Sequence, residues 1–276
     1  MKQYISILRP SVCVLSMLGI FAGSLITHAL FEAPLLVFFA ILAAFFITGS
    51  GDILNDYFDY EIDRINAPHR PIPSGKISRK SALVYAIIIN LIGLVFAVMV
   101  SPDFLLIALI NTSVLSLYAW KLKRYAFIGN VSVSYLSTST FIASGLITGN
   151  FASLWSSPIF ILALISFFGT LGREIFKDIE DVKGDKKIGA KTLPIIWGEN
   201  PSKLLGYAFL YIACLLLFLP LYLNIFGFSY MIGIIPALVL CLYAWKTPPA
   251  KTQRLIKLSM YLVLVGFVMG STVKII

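Results

Sequence analysis

The sequence predicts an all-α, polytopic membrane protein: a bundle of nine transmembrane helices forming one membrane-embedded domain over residues 1–276. Three observations predict it. Of the 276 residues, 59% are hydrophobic and only 13% are charged, with a mean hydropathy of +0.90. A soluble domain usually holds about 45–50% apolar and about 25% charged residues, so these charges are too few to cover a water-facing surface. The apolar residues also fall into nine runs near the length of about 20 residues that a helix needs to cross a bilayer. Finally, the charges gather between alternate pairs of runs, as they do in cytoplasmic loops.

The runs are 11–31, 35–60, 81–100, 103–120, 127–148, 157–181, 203–223, 225–245 and 255–275. The first follows Lys2 and Arg9, but it exceeds a secretory h-region of about 7–15 residues and lacks a small-residue cleavage site, so it should stay attached. The second and sixth end in acidic clusters; the fourth and eighth end in aromatic pentapeptides; the first, third, fifth, seventh and eighth carry almost no internal charge. With the N-terminus and the loops after helices 2, 4, 6 and 8 on one side, that side receives 21 of the 22 Lys and Arg residues. The other side receives Lys274, with Glu32 and Asp103. Lys and Arg mark the cytoplasmic side, which predicts a multi-pass cell-membrane protein with its N-terminus inside and its C-terminus outside. The net charge of +9 is thus a topology signal. It does not mark a nucleic-acid binder, since no soluble domain exists to carry a basic face. Cys13, Cys214 and Cys241 lie far apart without paired spacing and read as small core residues.

An internal echo runs through the chain. Asp56, Asp59 and Asp63 step by three and four after helix 2; Asp178, Asp181 and Asp185 repeat those steps after helix 6 at an offset of 122. Leu117–Lys121 ends helix 4 and the identical Leu-Tyr-Ala-Trp-Lys at 242–246 ends helix 8, offset by 125. Interfacial aromatics alone would explain the pentapeptides but not the matched acidic spacing. The echo predicts two parallel four-helix halves followed by one extra helix.

At 3.6 residues per turn, Asp52, Asp56, Asp59 and Asp63 share one helical face. Asp178 and Asp181 share another, while Gly184 is expected to end the helix before Asp185. Carboxylates packed side by side near the end of an apolar span call for a cation. Oxygen donors without thiolate or imidazole select Mg²⁺, which keeps one or two carboxylates and takes substrate phosphates at its remaining positions. Two such clusters on one cavity would hold a diphosphate, clamped by neighbouring Arg64, Arg70, Lys76, Lys121, Arg124, Lys177 and Lys191. The chemistry this suits is ionisation of an allylic diphosphate: metal and cationic groups stabilise the leaving charge, and an apolar cavity keeps water from the allylic cation. Tyr57, Tyr60, Tyr118 and Tyr135 are candidates to face that cation. A cation-coupled transporter is the alternative of another class. It would place ionisable groups near the bilayer midplane, whereas these clusters sit toward one face.

At these motifs the chain resembles a known family. Asn55-Asp56-Tyr57-Phe58-Asp59-Tyr60-Glu61-Ile62-Asp63 is similar to the first Asn-Asp-x-x-Asp-x-x-x-Asp motif of UbiA-type intramembrane prenyltransferases. Residues 69–75, Leu122-Lys123-Arg124 and Asp181–Asp185 resemble that family's Arg-Pro-rich loop, its basic element after helix 4 and its second Asp-x-x-x-Asp motif. Nine spans agree as well. The resemblance implies catalytic Asp56, Asp59, Asp181 and Asp185, Mg²⁺ on these together with Asp63 and Asp178, and Asn55 at the substrate. Within the family, residues 177–194 and Gly129-Asn130 with the Ser/Thr-rich stretch 132–140 resemble archaeal digeranylgeranylglyceryl phosphate synthases. That implies an isoprenoid diphosphate donor and a lipid-phosphate acceptor: transfer of a geranylgeranyl group to the hydroxyl of geranylgeranylglyceryl phosphate, for ether-lipid biosynthesis. Relatives acting on aromatic quinone precursors or tetrapyrroles share the same metal motifs. A phosphorylated acceptor needs a second anion site, for which Lys183, Lys186, Lys187 and Lys191 are the candidates. Arg9-Pro10-Ser11-Val12 departs from the family in lacking an asparagine shortly after the Arg-Pro pair. Membrane lipids are the expected surroundings, and none of these motifs sets an oligomeric state.

Overall fold

A computed structural model describes residues 2–155, 157–187 and 189–272. Lys274 and Ile188, and the side chain of Lys187, on which the sequence reading also drew, lie outside the described residues. In hydrocarbon every backbone N–H and C=O must be bonded internally, which leaves helices as the economical spanning element. Among the described residues the long elements are all helices: α1 (Pro10–Ile26), α2 (Pro34–Phe58), α3 (Arg79–Val100), α4 (Pro102–Trp120), α5 (Ile128–Gly145), α6 (Pro158–Lys187), α7 (Glu199–Leu216), α8 (Met231–Ala244) and α9 (Pro249–Thr272). Among the described residues six stretches are long and apolar enough to cross a bilayer: Pro34–Phe58, Arg79–Val100, Pro102–Trp120, Pro158–Lys186, Glu199–Tyr222 and Pro249–Ser271. α1 and Phe228–Ala244 are apolar but shorter.

α5 shows how a polar sequence is buried as a helix. Ser132, Ser134, Ser139 and Ser144 each donate to a carbonyl three or four residues earlier, at 2.7–2.8 Å. Their hydroxyls are thus satisfied within the helix and need no water.

Local chemistry sets the boundaries. α1, α2 and α4 open with Pro in the first turn, where its missing N–H costs nothing. Ser78 and Ser101 cap α3 and α4 by accepting from Ser81 N at 3.0 Å and Phe104 N at 3.1 Å. Two expectations are corrected. The first apolar run stops being one helix at Ile26, because His28 is left-handed (φ 61°) and Ala29–Glu32 starts afresh. Gly184 does not end α6, which continues to Lys187 and keeps Asp185 on the helix.

α2 packs on α1, α3 and α4, while α6 packs on α5, α7 and α9. α8 lies on α9, and α1 touches both α5 and α9, closing a ring. The α8–α9 crossing depends on small residues: a Cβ at Gly233 would overlap the Leu262 carbonyl and the Gly266 backbone. Inside the ring is a cavity of about 700 Å³, walled by apolar side chains such as Leu15, Ile20, Ile107, Phe141, Leu217 and Phe267.

Candidate active site

At one end of the large cavity lies a polar pocket of about 190 Å³. The two spaces share Asp59, Tyr118, Lys123, Glu174 and Lys177 as lining. Each acidic cluster arrives on a helix end. α2 stops at Phe58, and a second short helix, Tyr60–Asn66, carries Asp63 onward from the Asp59 junction. α6 brings Asp178, Asp181 and Asp185 on one continuous helix. Asp59, Asp178, Asp181 and Asp185 all line the small pocket, so side chains 122 residues apart in the repeat meet there. The loop after α6 is tied to the loop after α4 by Lys191 N donating to Arg124 O at 2.9 Å, which closes the pocket's rim.

The first cluster has cationic partners from three elements. Arg9, left-handed at φ 48° just before Pro10, donates to Asp56 Oδ1 and lies 3.6 Å from Asp52 Oδ1. Arg70 Nη1 reaches Asp63 Oδ2 at 2.7 Å and Asp56 Oδ1 at 3.4 Å. Lys123 Nζ donates to Asp59 Oδ1 at 2.5 Å and Asn55 Oδ1 at 2.9 Å. Burial pushes the Lys123 ammonium below its ordinary pKa, and the Asp59 carboxylate opposes that shift. In the second cluster, Asn130 donates to Asp178 Oδ2 at 2.8 Å. Buried Glu174 is held by Arg173 at 2.5 Å and Lys177 at 3.5 Å.

The sequence candidates therefore divide. Asp59, Asp178, Asp181, Asp185, Arg124 and Lys177 face the small pocket, and Asn55 faces the large cavity. Asp56 and Asp63 are buried against Arg9 and Arg70 and line neither space. Arg64 pairs instead with Glu61 at 3.6 Å, Lys121 lies 5.8 Å from the Trp120 and Tyr125 rings, and Lys76 and Lys191 are exposed. These four are not brought to the site, because their side chains are exposed and line neither space. Of the four tyrosines, Tyr118 alone lines a described cavity; Tyr57 and Tyr60 flank Arg79, each ring 4.9 Å from its guanidinium carbon. Cys214 and Cys241, apart in sequence, both line the large cavity, and Cys241 Sγ donates to Ser259 Oγ at 3.4 Å.

Arg9, Lys123, Asn130, Arg173 and Glu174 were not singled out as site residues by sequence reasoning. Glu174 had a signal: it follows Asp52 by the same 122 residues, so the repeat is one of four carboxylates, 52/174, 56/178, 59/181 and 63/185. Among the described residues, no three Asp, Glu, His or Cys side chains close on one point to enclose a cation by themselves. The donor set fits a metal that takes few carboxylates and completes its shell with phosphate oxygens, as Mg²⁺ does. Asp59 on one side and Asp178, Asp181 and Asp185 on the other line the pocket and would be the residues to hold it.

Known proteins share this architecture. A digeranylgeranylglyceryl phosphate synthase from Methanosphaera stadtmanae is 39% identical over 98% of this chain and 100% of its own. A solved structure described as digeranylgeranylglyceryl phosphate synthase in membranes superposes with a TM-score of 0.84 at 37% identity, covering 98% of both chains. A UbiA homolog from Archaeoglobus fulgidus, solved bound to GPP and Mg²⁺, has the same fold with a TM-score of 0.70 at 20% identity over 98% of this chain and 100% of that one. The family model of UbiA prenyltransferases matches residues 16–267, and the chain belongs to the UbiA prenyltransferase family.

Proposed function

We propose that this prenyltransferase moves a geranylgeranyl group from its diphosphate to the free hydroxyl of geranylgeranylglyceryl phosphate, as its synthase relatives are named for doing. The observation that carries the reading is the meeting of Asp59 with Asp178, Asp181 and Asp185 on a polar pocket that shares its wall with a 700 Å³ apolar cavity. The pocket suits a diphosphate and the cavity suits an isoprenoid. Bound Mg²⁺, which the Archaeoglobus homolog also holds, would neutralise the diphosphate and stabilise it as a leaving group. Asp59, Asp181 and Asp185, with Asp178, would hold that ion. Asp56 and Asp63 would complete the ligand set, with Arg9 and Arg70, which they bind, suited to diphosphate oxygens. Lys123, Arg124 and Lys177 flank the same pocket and complete the clamp.

The bond from the allylic C1 to diphosphate oxygen breaks, and a bond from C1 to the glycerol oxygen forms. The hydroxyl proton passes to a carboxylate or to diphosphate oxygen. Tyr118, at the junction of the two spaces, presents its ring where the allylic charge develops. The apolar wall excludes water, which would otherwise capture the cation.

The membrane arrangement follows from the same reading. The nine long helices all span the bilayer as a single domain over residues 1–276, with N-terminus and active site cytoplasmic and C-terminus outside. The two parallel halves are supported by matching pairs: α1 with α2 and α2 with α3 in the first, α5 with α6 and α6 with α7 in the second. A competition assay tests the reaction. Purified protein with Mg²⁺ and geranylgeranyl diphosphate should prenylate geranylgeranylglyceryl phosphate in preference to 4-hydroxybenzoate, and chelation should stop turnover until Mg²⁺ is restored. Prenylation of the aromatic acid alone would sink the acceptor assignment.

A further inference from the structure

The acceptor proposed above carries a phosphate of its own, and the lysines that the sequence offers for it do not reach the cavity. Lys183, Lys186 and Lys191 are exposed and line neither space. The charged side chains that do line the large cavity are Arg9, Asp52, Asp59, Lys123, Arg173, Glu174, Lys177 and Lys257. Arg9 is engaged with Asp52 and Asp56, Lys123 with Asp59, and Lys177 with Glu174. Two of the cations that line the cavity keep unused donors. Arg173 gives one guanidinium nitrogen to Glu174 at 2.5 Å, but its buried Nε has no hydrogen-bond partner. A guanidinium carries five N–H donors, and a buried donor left unmade is costly. Lys257, on α9, is exposed, lines the cavity and forms no ion pair among the described residues. Its three ammonium donors are thus open to an anion.

These two cations stand on adjoining helices. α9 runs along α6, with Gln253 donating to Glu180 at 2.9 Å and Ile256 packed in one cluster with Ile175, Phe176 and Ile179. Arg173 and Lys257 therefore belong to one wall of the cavity. We infer that they form a second anion site, which takes the phosphomonoester of the acceptor on the α6–α9 wall, apart from the diphosphate pocket. The inference rests on the acceptor class proposed above. Arg173 precedes Lys177 by four residues of α6, about 6 Å, and Lys177 is shared with the small pocket. A glycerol backbone bridges that gap, with its free hydroxyl toward the allylic carbon and its phosphate held one turn away. Glu174, bonded to Arg173 and to Lys177, orients both cations and gives the two anions separate places. Without such separation the acceptor phosphate would compete for the donor's site.

The test measures binding to the full-length protein without donor, using labelled geranylgeranylglyceryl phosphate and its dephosphorylated alcohol. Wild type should prefer the phosphate form by about tenfold or more. Lys257→Met and Arg173→Met should lose that preference, and Lys257→Arg should keep it. Affinity for geranylgeranyl diphosphate with Mg²⁺ should change by less than about twofold, as expected for a separate site. Donor binding also reports folding, and Lys257→Gln replaces Lys257→Met if the latter fails it. Wild-type protein that binds both forms equally overturns the inference, as does a folded Lys257→Met protein with undiminished phosphate preference. Turnover of the phosphorylated acceptor by wild type is scored separately. Phosphate preference without turnover would sink the proposed reaction and leave the anion site standing.

Discussion

At the scale of residues, the site is a set of carboxylates separated by cationic arms, and those arms set its stability as well as its chemistry. Asp63 is buried and has Arg70 at 2.7 Å. Arg70→Gln leaves Asp56 short of one partner and Asp63 without its ion pair. It should destabilise the protein by about 1–3 kcal/mol, nearer the low end because Arg70 is partly exposed. Thermal unfolding in detergent reads this, and Asp63→Asn in the Arg70→Gln background should recover part of the loss. For the reaction itself, Asp59→Asn or Asp181→Asn keeps the shape but removes the charge that holds a cation. Either should cut turnover by about 100-fold or more, while binding of the isoprenoid alcohol without diphosphate stays near wild type. Full activity of Asp181→Asn at limiting Mg²⁺ would refute the ligand assignment. The acidic spacing was legible in sequence because a helix places steps of three and four on one face. The choice of Arg9 and Lys123 as partners was not: they come from segments 47 and 64 residues away from the Asp they bind.

At the scale of elements, glycine decides two outcomes in opposite senses. Gly184 lies inside α6 with open space around the position of a Cβ. The sequence reading treats it as a terminator, since glycine is common just past helix ends. Yet the helix continues, because its φ is not left-handed and the chain turns only at Gly189, φ 67°. Gly184→Ala should therefore raise stability by about 0.5–1 kcal/mol and leave turnover intact, as melting and initial rates will show. Gly233 is the opposite case. There α8 and α9 approach until a Cβ would overlap the Leu262 and Gly266 backbones. Gly233→Val should cost about 1–3 kcal/mol or more and appear as a lower melting temperature and a broadened gel-filtration peak. A well-folded, fully stable Gly233→Val protein would show that the crossing is looser than described.

At the scale of the whole molecule, the arrangement is a ring of helices with most of its charge gathered toward one end. Single cysteines at Ser74, Lys121 and Lys251, in a background lacking Cys13, Cys214 and Cys241, should react with an impermeant maleimide only from the cytoplasmic side. Cysteines at Glu32 and Asn150 should react only from outside. Labelling of Ser74→Cys or Lys251→Cys from outside would break the nine-span topology. The ring also accounts for helices that hydropathy alone does not mark as spans. α5 tolerates its hydroxyls because they are bonded along its own backbone. Their burial against α1 and α6 keeps them out of lipid.

The sequence by itself determined that this is a helical membrane protein, which runs are helices, which side gathers the cations, and the matched spacing of the two acidic clusters. Each of those follows from composition or from a period of 3.6 residues, both local properties of the chain. The break at Phe58 splits the first cluster, so Asp52 and Asp59 line the cavity while Asp56 and Asp63 do not. Only the tertiary structure decided that Asp59 meets Asp178, Asp181 and Asp185 in one pocket, that Arg9, Arg70 and Lys123 bind the first cluster, and that Arg173 and Lys257 face the cavity while Lys183 and Lys191 do not. Such pairings depend on how far each helix is rotated and how deeply it is set against its neighbours. That rotation comes from packing over the whole ring, where a shift of one residue turns a side chain by about 100°, from cavity to lipid.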